Sequence, residues 1–403
     1  MKYRIWIINY FAGNRDSGWG ERHFFLAKEL LQKECEVLII SSASNHLFDR
    51  RIESNCHFTN ETYEGVQFCW VKVPQYHPQS VLRFWSMGVF ALKLFLFPIH
   101  KHPVPLWIIV SSMPIFSILP GLFLKWKLKC KKLAFEVRDL WPLTPVYLGK
   151  VSPMNPMIIL MKLLEKIAYR RSDIIISLLP RADRYINPIS RIADKFIYLP
   201  NGFSEEVNTQ DDLPFDLDSV LPTGKFIVGY VGTLGVANAM SYVIRAANLL
   251  REEENIHFII LGDGYLKADL MKEADGLCNI EFLPKIKKGM VAKVVSCFDL
   301  GIISWHKSPL YQFGVSANKL FDYMYASKPI VFAGDIPENP VEKAKCGICI
   351  EPENPEAIKQ AVLSLYYMNK IEREVLGMNG KNYLSEYHSY SVLATQLFSK
   401  LTK

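Results

Sequence analysis

Residues 226–238 read Phe-Ile-Val-Gly-Tyr-Val-Gly-Thr-Leu-Gly-Val-Ala-Asn, an apolar run that enters a glycine turn and is followed by a helical pattern. A buried strand that leads through a glycine loop into a helix is the building unit of parallel α/β folds. Gly232 and Gly235 can present backbone N–H groups to a phosphate, with the dipole of the next helix behind them. A simple tight turn is the alternative interpretation.

The same alternation of apolar runs and helical patterns extends along all 403 residues. Strands are predicted near 3–10, 36–42, 64–73, 106–112, 132–138, 173–179 and 195–199, and then near 226–232, 256–261, 280–283, 299–304, 329–333 and 347–350. We expect 64–73 at a sheet edge. The pattern predicts an α/β protein with parallel sheets covered on both faces.

The length suits two domains, and an acidic, proline-rich stretch over 200–224 lies between the two series of strands. We therefore predict a first domain over 1–199, a linker over 200–224 and a second domain over 225–385. A last helix over 386–403 is expected to return to the first domain.

The net charge of +7 has no compact basic arm of the kind that binds nucleic acid. The densest basic stretch, from Lys125 to Arg138, follows an apolar segment, and 80–98 is aromatic and apolar. These features favour contact with a membrane surface, although buried domain helices are an equal alternative. Three prolines interrupt the uncharged run 104–124, so we predict a strand, a turn and a helix there and not a membrane span.

Cysteine usage predicts no metal site. The one Cys-x-x-Cys, Cys346 to Cys349, has no second cysteine or histidine pair at ligand spacing. We expect most of the eight cysteines to be buried free thiols, which is typical of a reducing cytoplasm.

The strongest motif lies within 305–331, where a strand end passes through a Gly/Ser turn into a helix. Lys319 and Asp322 are three residues apart and share one helix face. Lys319 can neutralise a phosphate, and Asp322 can accept hydrogen bonds from two ribose hydroxyls. An ordinary surface ion pair is the alternative. The other candidate ligands in this segment are His306, Gly314, Ser316 and Asn318.

Three further segments supply candidates. Gly18 and Gly20 follow the first strand and precede a helix, without a complete dinucleotide-binding pattern. Lys285 belongs to a cationic turn that suits a phosphate or base contact as well as it suits solvent. Three charged side chains, Glu136, Arg138 and Asp139, lie at the C-terminal end of the 132–138 strand. The carboxyl edge of a parallel sheet is where such folds bind ligands.

In this order the motifs resemble the retaining GT-B glycosyltransferases of the group 1 family over nearly the whole chain. They are especially similar to the bacterial polysaccharide subgroup that includes N-acetyl-L-fucosamine transferases. The segments that carry the resemblance are Gly18-Trp-Gly20, Glu136-Val-Arg138-Asp139-Leu-Trp-Pro142, Pro200-Asn201-Gly202, Gly232-Thr233-Leu-Gly235, Gly262-Asp-Gly264 and Asn318-Lys-Leu-Phe-Asp322-Tyr.

The resemblance implies two facing Rossmann-like domains, with the acceptor mainly on the first and a nucleotide sugar mainly on the second. Asp322 matches the second carboxylate of the family's Glu-x7-Glu motif, whereas Gly314 stands at the first. Thr233 and Asn238 stand where the family often has a basic pair, and Arg138 stands where it often has a histidine. Neutralising the diphosphate must then depend on Lys319, on Lys285 or on backbone dipoles.

The motifs and the resemblance together predict a metal-independent, UDP-dependent bacterial hexosyltransferase without a cofactor of its own. Its candidate catalytic residues are Glu136, Arg138, Asp139 and Lys319. The expected acceptor is a lipid-linked sugar or glycan of a surface polysaccharide, O-antigen or capsule, at the inner face of the cytoplasmic membrane. A nucleotide-sugar epimerase of the same fold, or an inactive nucleotide-sugar-binding scaffold, remains an alternative.

Overall fold

The computed structural model describes residues 3–17, 20–48, 52–53, 56–77, 80, 82–192, 194–207 and 213–402. The chain forms two compact units. The first comprises Met1–Ser204 and Ser389–Lys403, and the second comprises Glu205–His388. The predicted linker, 200–224, spans the boundary between them.

The first unit contains an eight-stranded sheet. Its strands are β1 (Tyr3–Ile8), β2 (Cys35–Ser42), β3 (Phe58–Tyr63), β4 (Val66–Val71), β5 (Trp107–Ser111), β6 (Lys132–Val137), β7 (Ile174–Ser177) and β8 (Phe196–Tyr198). Its helices are α1 (Arg22–Leu31), α2 (Leu82–Leu94), α3 (Ile118–Lys127), α4 (Leu143–Tyr147), α5 (Pro156–Arg171) and α6 (Asp183–Ser190). The strand order is β3-β4-β2-β1-β5-β6-β7-β8.

Only β3 runs antiparallel, and it covers the edge of β4. The expectation that 64–73 lies at the edge is therefore wrong. The chain turns between β3 and β4 through Glu64 and Gly65, both at positive φ. A tight hairpin requires two such residues, which is why the polar segment before Glu64 pairs back as a strand that we did not predict.

The second unit contains a six-stranded sheet. Its strands are β9 (Phe226–Val231), β10 (Ile256–Leu261), β11 (Ile280–Leu283), β12 (Leu300–Ser304), β13 (Ile330–Ala333) and β14 (Gly347–Ile350). Its helices are α7 (Leu217–Val220), α8 (Met240–Leu249), α9 (Lys267–Glu273), α10 (Val291–Ser296), α11 (Asn318–Tyr325), α12 (Pro340–Ala344), α13 (Pro355–Tyr367) and α14 (Lys370–His388).

All neighbouring strands of this second sheet are parallel, in the order β11-β10-β9-β12-β13-β14. The chain therefore winds outward from β9, returns to the centre and winds out on the other side, as in a Rossmann fold. Its four central strands are almost wholly buried, with Val228, Phe258 and Ile302 all at 0% exposure, whereas the edge strands β11 and β14 are mostly half-buried. The predicted parallel α/β architecture is confirmed.

The last helix, α15 (Tyr390–Leu401), belongs to the first unit. The Tyr390 ring stacks on Phe25 of α1 with the ring centroids 5.2 Å apart. Nε1 of Trp107 donates to the carbonyl oxygen of Leu401 over 2.8 Å. The end of the chain is thus anchored to the first sheet by an aromatic contact and a buried hydrogen bond.

Fewer of the cysteines are buried than the sequence predicted. Four of the eight are buried, while Cys56, Cys278 and Cys297 are exposed. Cys346 and Cys349 are free thiols, and burial raises the pKa of each to about 12. No group of three metal-ligating side chains occurs among the described residues.

Candidate functional site

The two strongest sequence motifs meet at one place in the second unit. The loop after β9 holds Gly232 to Gly235, and the loop after β12 leads into α11. These strands are neighbours at the point where the winding of the sheet reverses. Ligands of open parallel sheets bind beside the carboxyl ends of the strands at this reversal point. Topology therefore brings 232–235 and 314–322 together as the candidate site.

Gly232 makes room for a lysine. Its φ is +145°, and a Cβ there would lie 3.1 Å from both Cε and Nζ of Lys319. The backbone of Gly262, just after β10, packs closely against Gly232, because a Cβ on Gly262 would lie 1.9 Å from the carbonyl oxygen of Gly232. The glycines thus allow the Lys319 ammonium group to lie directly against the loop backbone.

Two side chains that flank the loop hold Lys319, Tyr230 of β9 on one side and Asn238 on the other. Its Nζ donates to the Tyr230 hydroxyl over 2.8 Å and to Oδ1 of Asn238 over 2.6 Å. The same Nζ lies 4.3 Å from the centroid of the Tyr230 ring. Both partners are themselves held by the loop, since the Tyr230 hydroxyl and Nδ2 of Asn238 each donate to the carbonyl oxygen of Thr233 over 2.8 Å.

This environment changes the titration of Lys319. Burial lowers its pKa to about 7, and the nearby Asp322 carboxylate only partly offsets the effect. An anion bound at the loop would favour the charged form and raise the pKa again. The amine is therefore poised to take up a proton when a negatively charged ligand arrives.

The contact between Gly232 and Lys319 can be tested by Gly232→Ala. We expect this variant to lose affinity for a nucleoside diphosphate, because the new methyl group displaces Lys319, as well as about 1–3 kcal/mol of stability through backbone strain. Gly276→Ala is the matched control, since its φ is +79° and a Cβ there meets nothing within 4 Å. Calorimetric titration that gives the same dissociation constant for both variants would contradict the proposed contact.

The loop before α11 ends in an open helix start. Gly314 has φ +91° and ends the short 3₁₀ helix Pro309–Phe313. The N-cap of α11 is Ala317, and no side chain caps this end of the helix. Oγ of Ser316 is buried without a hydrogen-bond partner. An uncapped helix start beside an unsatisfied hydroxyl is suited to receive an anion.

Asp322 is already engaged. Its Oδ1 accepts from Nζ of Lys288, and the two side chains are 12% and 16% exposed. Lys288 lies in the cationic turn after β11, three residues beyond the predicted Lys285. Lys285 itself is exposed, so the described contact between this turn and α11 is made by Lys288.

The other predicted ligands of this unit are placed less specifically. His306 pairs through Nδ1 with Oε1 of Glu353 over 2.7 Å, and the same oxygen accepts from the backbone N of Lys307 over 3.1 Å. His306 therefore makes a contact that links the loop after β12 to Glu353. Thr233 and Asn318 are exposed at the edges of the two loops.

A second polar cluster lies in the first unit around Glu136. Its Oε1 accepts from Nε of Arg22 over 3.0 Å, and its Oε2 lies 2.8 Å from Nε2 of His23 and 3.0 Å from Oγ of Ser111. The exposure of Arg22, His23 and Glu136 is 4% or less. Both oxygens of Glu136 are thus occupied and buried, and its assignment as a catalytic residue stays a prediction.

Hydrogen bonding determines the tautomer of His23. Oδ1 of Asn9 accepts from the backbone N of Phe11 over 2.8 Å, so the amide NH2 of Asn9 faces Nδ1 of His23 at 3.0 Å. Nδ1 is then an acceptor, and Nε2 carries the proton that it donates to Glu136. Burial lowers the pKa of His23, which keeps the ring neutral.

The cluster keeps Glu136 ionised. Burial by itself would raise the pKa of Glu136, but the hydrogen bond from His23 and the charge of Arg22 outweigh it and hold the pKa well below its ordinary range. The Arg22 guanidinium also donates through Nη2 to the carbonyl oxygen of Leu199 over 2.9 Å and through Nη1 to that of Pro200. The network thus joins the start of α1 to β6 and to the end of β8.

Arg138 and Asp139 follow Glu136 in the chain but are more exposed than Glu136. Ser112 Oγ accepts from the backbone N of Arg138 over 3.1 Å. Nη1 of Arg138 is buried and has no hydrogen-bond partner, and Asp139 is exposed. An unsatisfied guanidinium N–H and an exposed carboxylate at a strand end remain the candidates for ligand contact in this unit.

The first glycine motif is only partly described, because Gly18 lies outside the described residues. Gly20 has φ +112°, and a Cβ there would lie 2.2 Å from the carbonyl oxygen of Phe11. Its own carbonyl oxygen accepts from the backbone N of Gly13 over 3.1 Å. Gly20 therefore closes a tight loop next to the start of α1.

Sequence comparison adds an independent observation on the second unit. Residues 225–367 match the family described as Glycosyl transferases group 1. This segment is therefore similar to the group 1 glycosyltransferases. The candidate site, with Gly232, Lys319 and Asp322, lies within the matched segment.

Whole-chain relatives have low sequence identity. The chain is 25% identical over 406 residues to the "Putative colanic acid biosynthesis glycosyl transferase WcaI" of Escherichia coli (strain K12), covering 93% of this chain and 95% of that protein. The sucrose-phosphate synthase of Thermosynechococcus elongatus has a similar structure, with TM-score 0.73, 15% identity and coverage of 99% and 98%. Anabaena HepE in complex with UDP and glucose superposes with TM-score 0.68, 15% identity and 99% coverage of both chains.

These similarities confirm the fold, which is the GT-B fold of two parallel-sheet Rossmann-like domains. Among the described residues, no helix is long and apolar enough to cross a membrane. The strand and helix predicted within 104–124 are present as β5 and α3.

The hydrogen-bond and ion-pair partners of the predicted site residues were not identified from the sequence. Arg22 and His23 begin a helix directly after a glycine loop, and charged side chains in that position were a usable signal. Tyr230 lies inside an apolar strand and Lys288 inside a lysine-rich turn. Nothing in their local sequence distinguishes them, because their partners Lys319 and Asp322 are distant in the chain.

Proposed function

We propose that this protein transfers a sugar from a nucleoside diphosphate sugar to a lipid-linked or glycan acceptor, with retention at the anomeric carbon. The observation that carries the proposal is the position of Lys319. A half-buried ammonium group lies against the glycine loop of the segment that matches the group 1 family, beside the uncapped start of α11. These are the groups that a diphosphate needs: a cation, free backbone N–H donors and a helix dipole.

In the proposed complex the diphosphate lies between the 232–235 loop and α11. Thr233 and Gly235 offer backbone N–H groups, whereas the N–H of Gly232, which the sequence also suggested, already donates to the carbonyl oxygen of Leu261 over 3.0 Å. Ser316 offers a buried hydroxyl that has no hydrogen-bond partner. Lys319 carries the charge that the family more often divides between two basic side chains. Asn238, at one of those two positions, then serves to place Lys319.

The ribose is assigned to Asp322, as the motif match implies. Lys288 holds one carboxylate oxygen of Asp322, so the other oxygen is left for a ribose hydroxyl, or the ribose displaces Lys288. Lys285, His306 and Asn318 are proposed at the rim of the same site. Gly314 leaves the donor sugar without the carboxylate that the broader family places there.

Catalysis follows from stabilising the leaving group. As the bond between the anomeric carbon and the diphosphate breaks, negative charge grows on the phosphate oxygens. A cation and dipoles that are already oriented toward those oxygens lower the barrier without reorganising. We propose that Lys319 and the two loops do this without a metal ion.

We propose that the acceptor binds the first unit, where Arg138 and Asp139 are the candidate contacts and Glu136 holds the surrounding scaffold. The relative WcaI is described as acting in colanic acid biosynthesis, which supports a role in a bacterial surface polysaccharide, whether O-antigen or capsule. HepE binds UDP, which supports a UDP-linked donor, and we propose an N-acetyl-amino sugar such as N-acetyl-L-fucosamine. Lipid-linked acceptors place this reaction at the inner face of the cytoplasmic membrane.

A thermal-shift screen of nucleoside diphosphates and their sugars tests the donor assignment. We expect UDP and a UDP-linked amino sugar to raise the melting temperature, because a ligand at 100 times its Kd stabilises the folded state by about 2.7 kcal/mol. Nucleoside monophosphates are the control. No stabilisation by any nucleoside diphosphate would contradict the proposal.

Product analysis then separates the alternatives. Release of UDP only when an acceptor is present identifies a transferase. A changed sugar nucleotide without an acceptor would identify an epimerase. Binding with neither reaction, over a panel of lipid-linked acceptors, would identify an inactive scaffold.

A further inference from the structure

The first unit carries an unusual amount of exposed apolar surface. More than half of the large exposed hydrophobic side chains among the described residues fall between 82 and 163. They lie on or next to three helices, α2, α3 and α5. They include Leu82, Trp85, Leu92 and Leu96 at α2, Leu119 and Trp126 at α3, and Met154, Met157, Ile159, Leu160 and Leu163 at α5.

These three helices form one surface, which we call the three-helix face. α3 packs against both α2 and α5. Phe95, just after α2, contacts Phe123 of α3 with the ring centroids 5.2 Å apart. Leu96 and Met154 are 77% exposed and Trp126 is 74% exposed. Many large exposed apolar side chains on helices that pack together are typical of an interaction site.

The charge of the same segment is strongly positive. Residues 82–172 contain fourteen Lys and Arg but only three acidic residues, while the whole chain has a net charge of +7. Two of the three acids, Glu136 and Glu165, are buried at 2% exposure. This segment therefore holds more than the entire net positive charge of the protein, and the remainder of the chain is net negative.

Apolar and basic groups alternate along α5. Met157, Leu160 and Leu163 are exposed in its first half, and Lys162, Lys166 and Arg170 are exposed on the following turns. A helix with large apolar side chains and adjacent cations is typical of one that lies in the headgroup region of a bilayer. The acidic residue of α5, Glu165, points inward to the hydroxyls of Tyr169 and Tyr185.

We infer that the three-helix face docks on an anionic lipid bilayer, with α5 as a main contact alongside α2 and α3. Charge complementarity selects this occupant. A second copy of the chain would bring two strongly basic surfaces together, which is unfavourable, whereas anionic headgroups attract each lysine near the surface. The sequence favoured membrane contact for α2 and α3 only, and the structure adds α5.

Vesicle sedimentation tests the inference with the full chain. We expect binding to phosphatidylcholine vesicles that contain phosphatidylglycerol at low ionic strength, and weaker binding at high salt because exposed charges are screened. Leu160→Ser/Leu163→Ser should lower this binding at least tenfold. Ile371→Ser/Val375→Ser is the matched control, since Ile371 and Val375 on α14 are 73% and 54% exposed in the other unit.

A second variant, Lys162→Glu/Lys166→Glu, should lose binding to anionic vesicles while its circular dichroism spectrum stays unchanged. The inference is overturned if the α5 variants sediment like the wild type, or if pure phosphatidylcholine binds equally well. It is also overturned if light scattering shows a dimer that the α5 variants dissociate. These measurements need no nucleotide sugar, so their failure is distinct from a failure of the proposed glycosyl transfer.

Discussion

Replacing Lys319 by methionine should lower kcat/KM for glycosyl transfer by about 10²–10³, the usual effect of removing one preorganised group that stabilises a developing oxyanion. Methionine retains most of the volume and removes the charge. Since Lys319 is half-buried beside Tyr230 and Asn238, the variant should stay folded. Lys272→Met is the control, because Lys272 is an exposed lysine of α9 in the same unit. Near-normal turnover by the Lys319 variant would refute the assignment.

The pH dependence of donor binding gives a second readout for Lys319. In the unliganded protein its pKa is about 7, so the amine loses its charge as the pH rises above 7. A diphosphate binds the charged form, and donor binding should therefore take up a proton and weaken by up to about tenfold per pH unit above 7. The methionine variant should show a flat profile over the same range. Calorimetric titration with UDP between pH 6 and 8.5 measures both profiles.

The largest effect on stability is expected from Glu136→Ala. Removing this carboxylate leaves the buried Arg22 guanidinium without its counter-charge and His23 without its acceptor. Breaking a buried ion pair from one side typically costs about 3–5 kcal/mol. We therefore expect a clear fall in the melting temperature of the first unit. Differential scanning calorimetry measures this temperature and resolves the two units if they unfold separately.

Glu36→Ala is the control for this substitution. Glu36 pairs with Arg4 on the surface, with side-chain exposures of 39% and 45%. Exposed pairs contribute about 0–1 kcal/mol, so this variant should melt close to the wild type. If Glu136→Ala melts with the control, the buried cluster is not what holds α1 to β6 and β8.

The parallel sheets could be predicted because their evidence is local. Runs such as 226–231 and 256–261 are apolar apart from His257, as is typical of strands buried on both faces, and each is followed by a glycine. β3 was not predicted, because its alternating polar side chains are stable as a strand only when paired with β4. Its register depends on that partner and on the Glu64–Gly65 turn.

The candidate site was predictable in position and less so in detail. Gly232, Ser316, Lys319 and Asp322 could be found because glycines and charged groups at strand ends stand out from their apolar surroundings. The partners of these residues could not, since Tyr230 and Asn238 lie 89 and 81 residues from Lys319, and Lys288 lies 34 from Asp322. Glu136 was predicted as a catalytic candidate, and its neighbours Arg22 and His23, 114 and 113 residues away, enclose it in a buried cluster.

By itself the sequence determined the two series of buried strands, the glycine loops and the presence of Lys319 and Asp322 on one helix face. Those features depend on local composition and on helical or strand periodicity. Only the tertiary structure decided which loops meet at the reversal point of the second sheet, because strand order is set by pairing between distant segments. It also decided the state of each charge. Burial lowers the pKa of Lys319 to about 7, and the partners of Glu136 keep its carboxylate ionised.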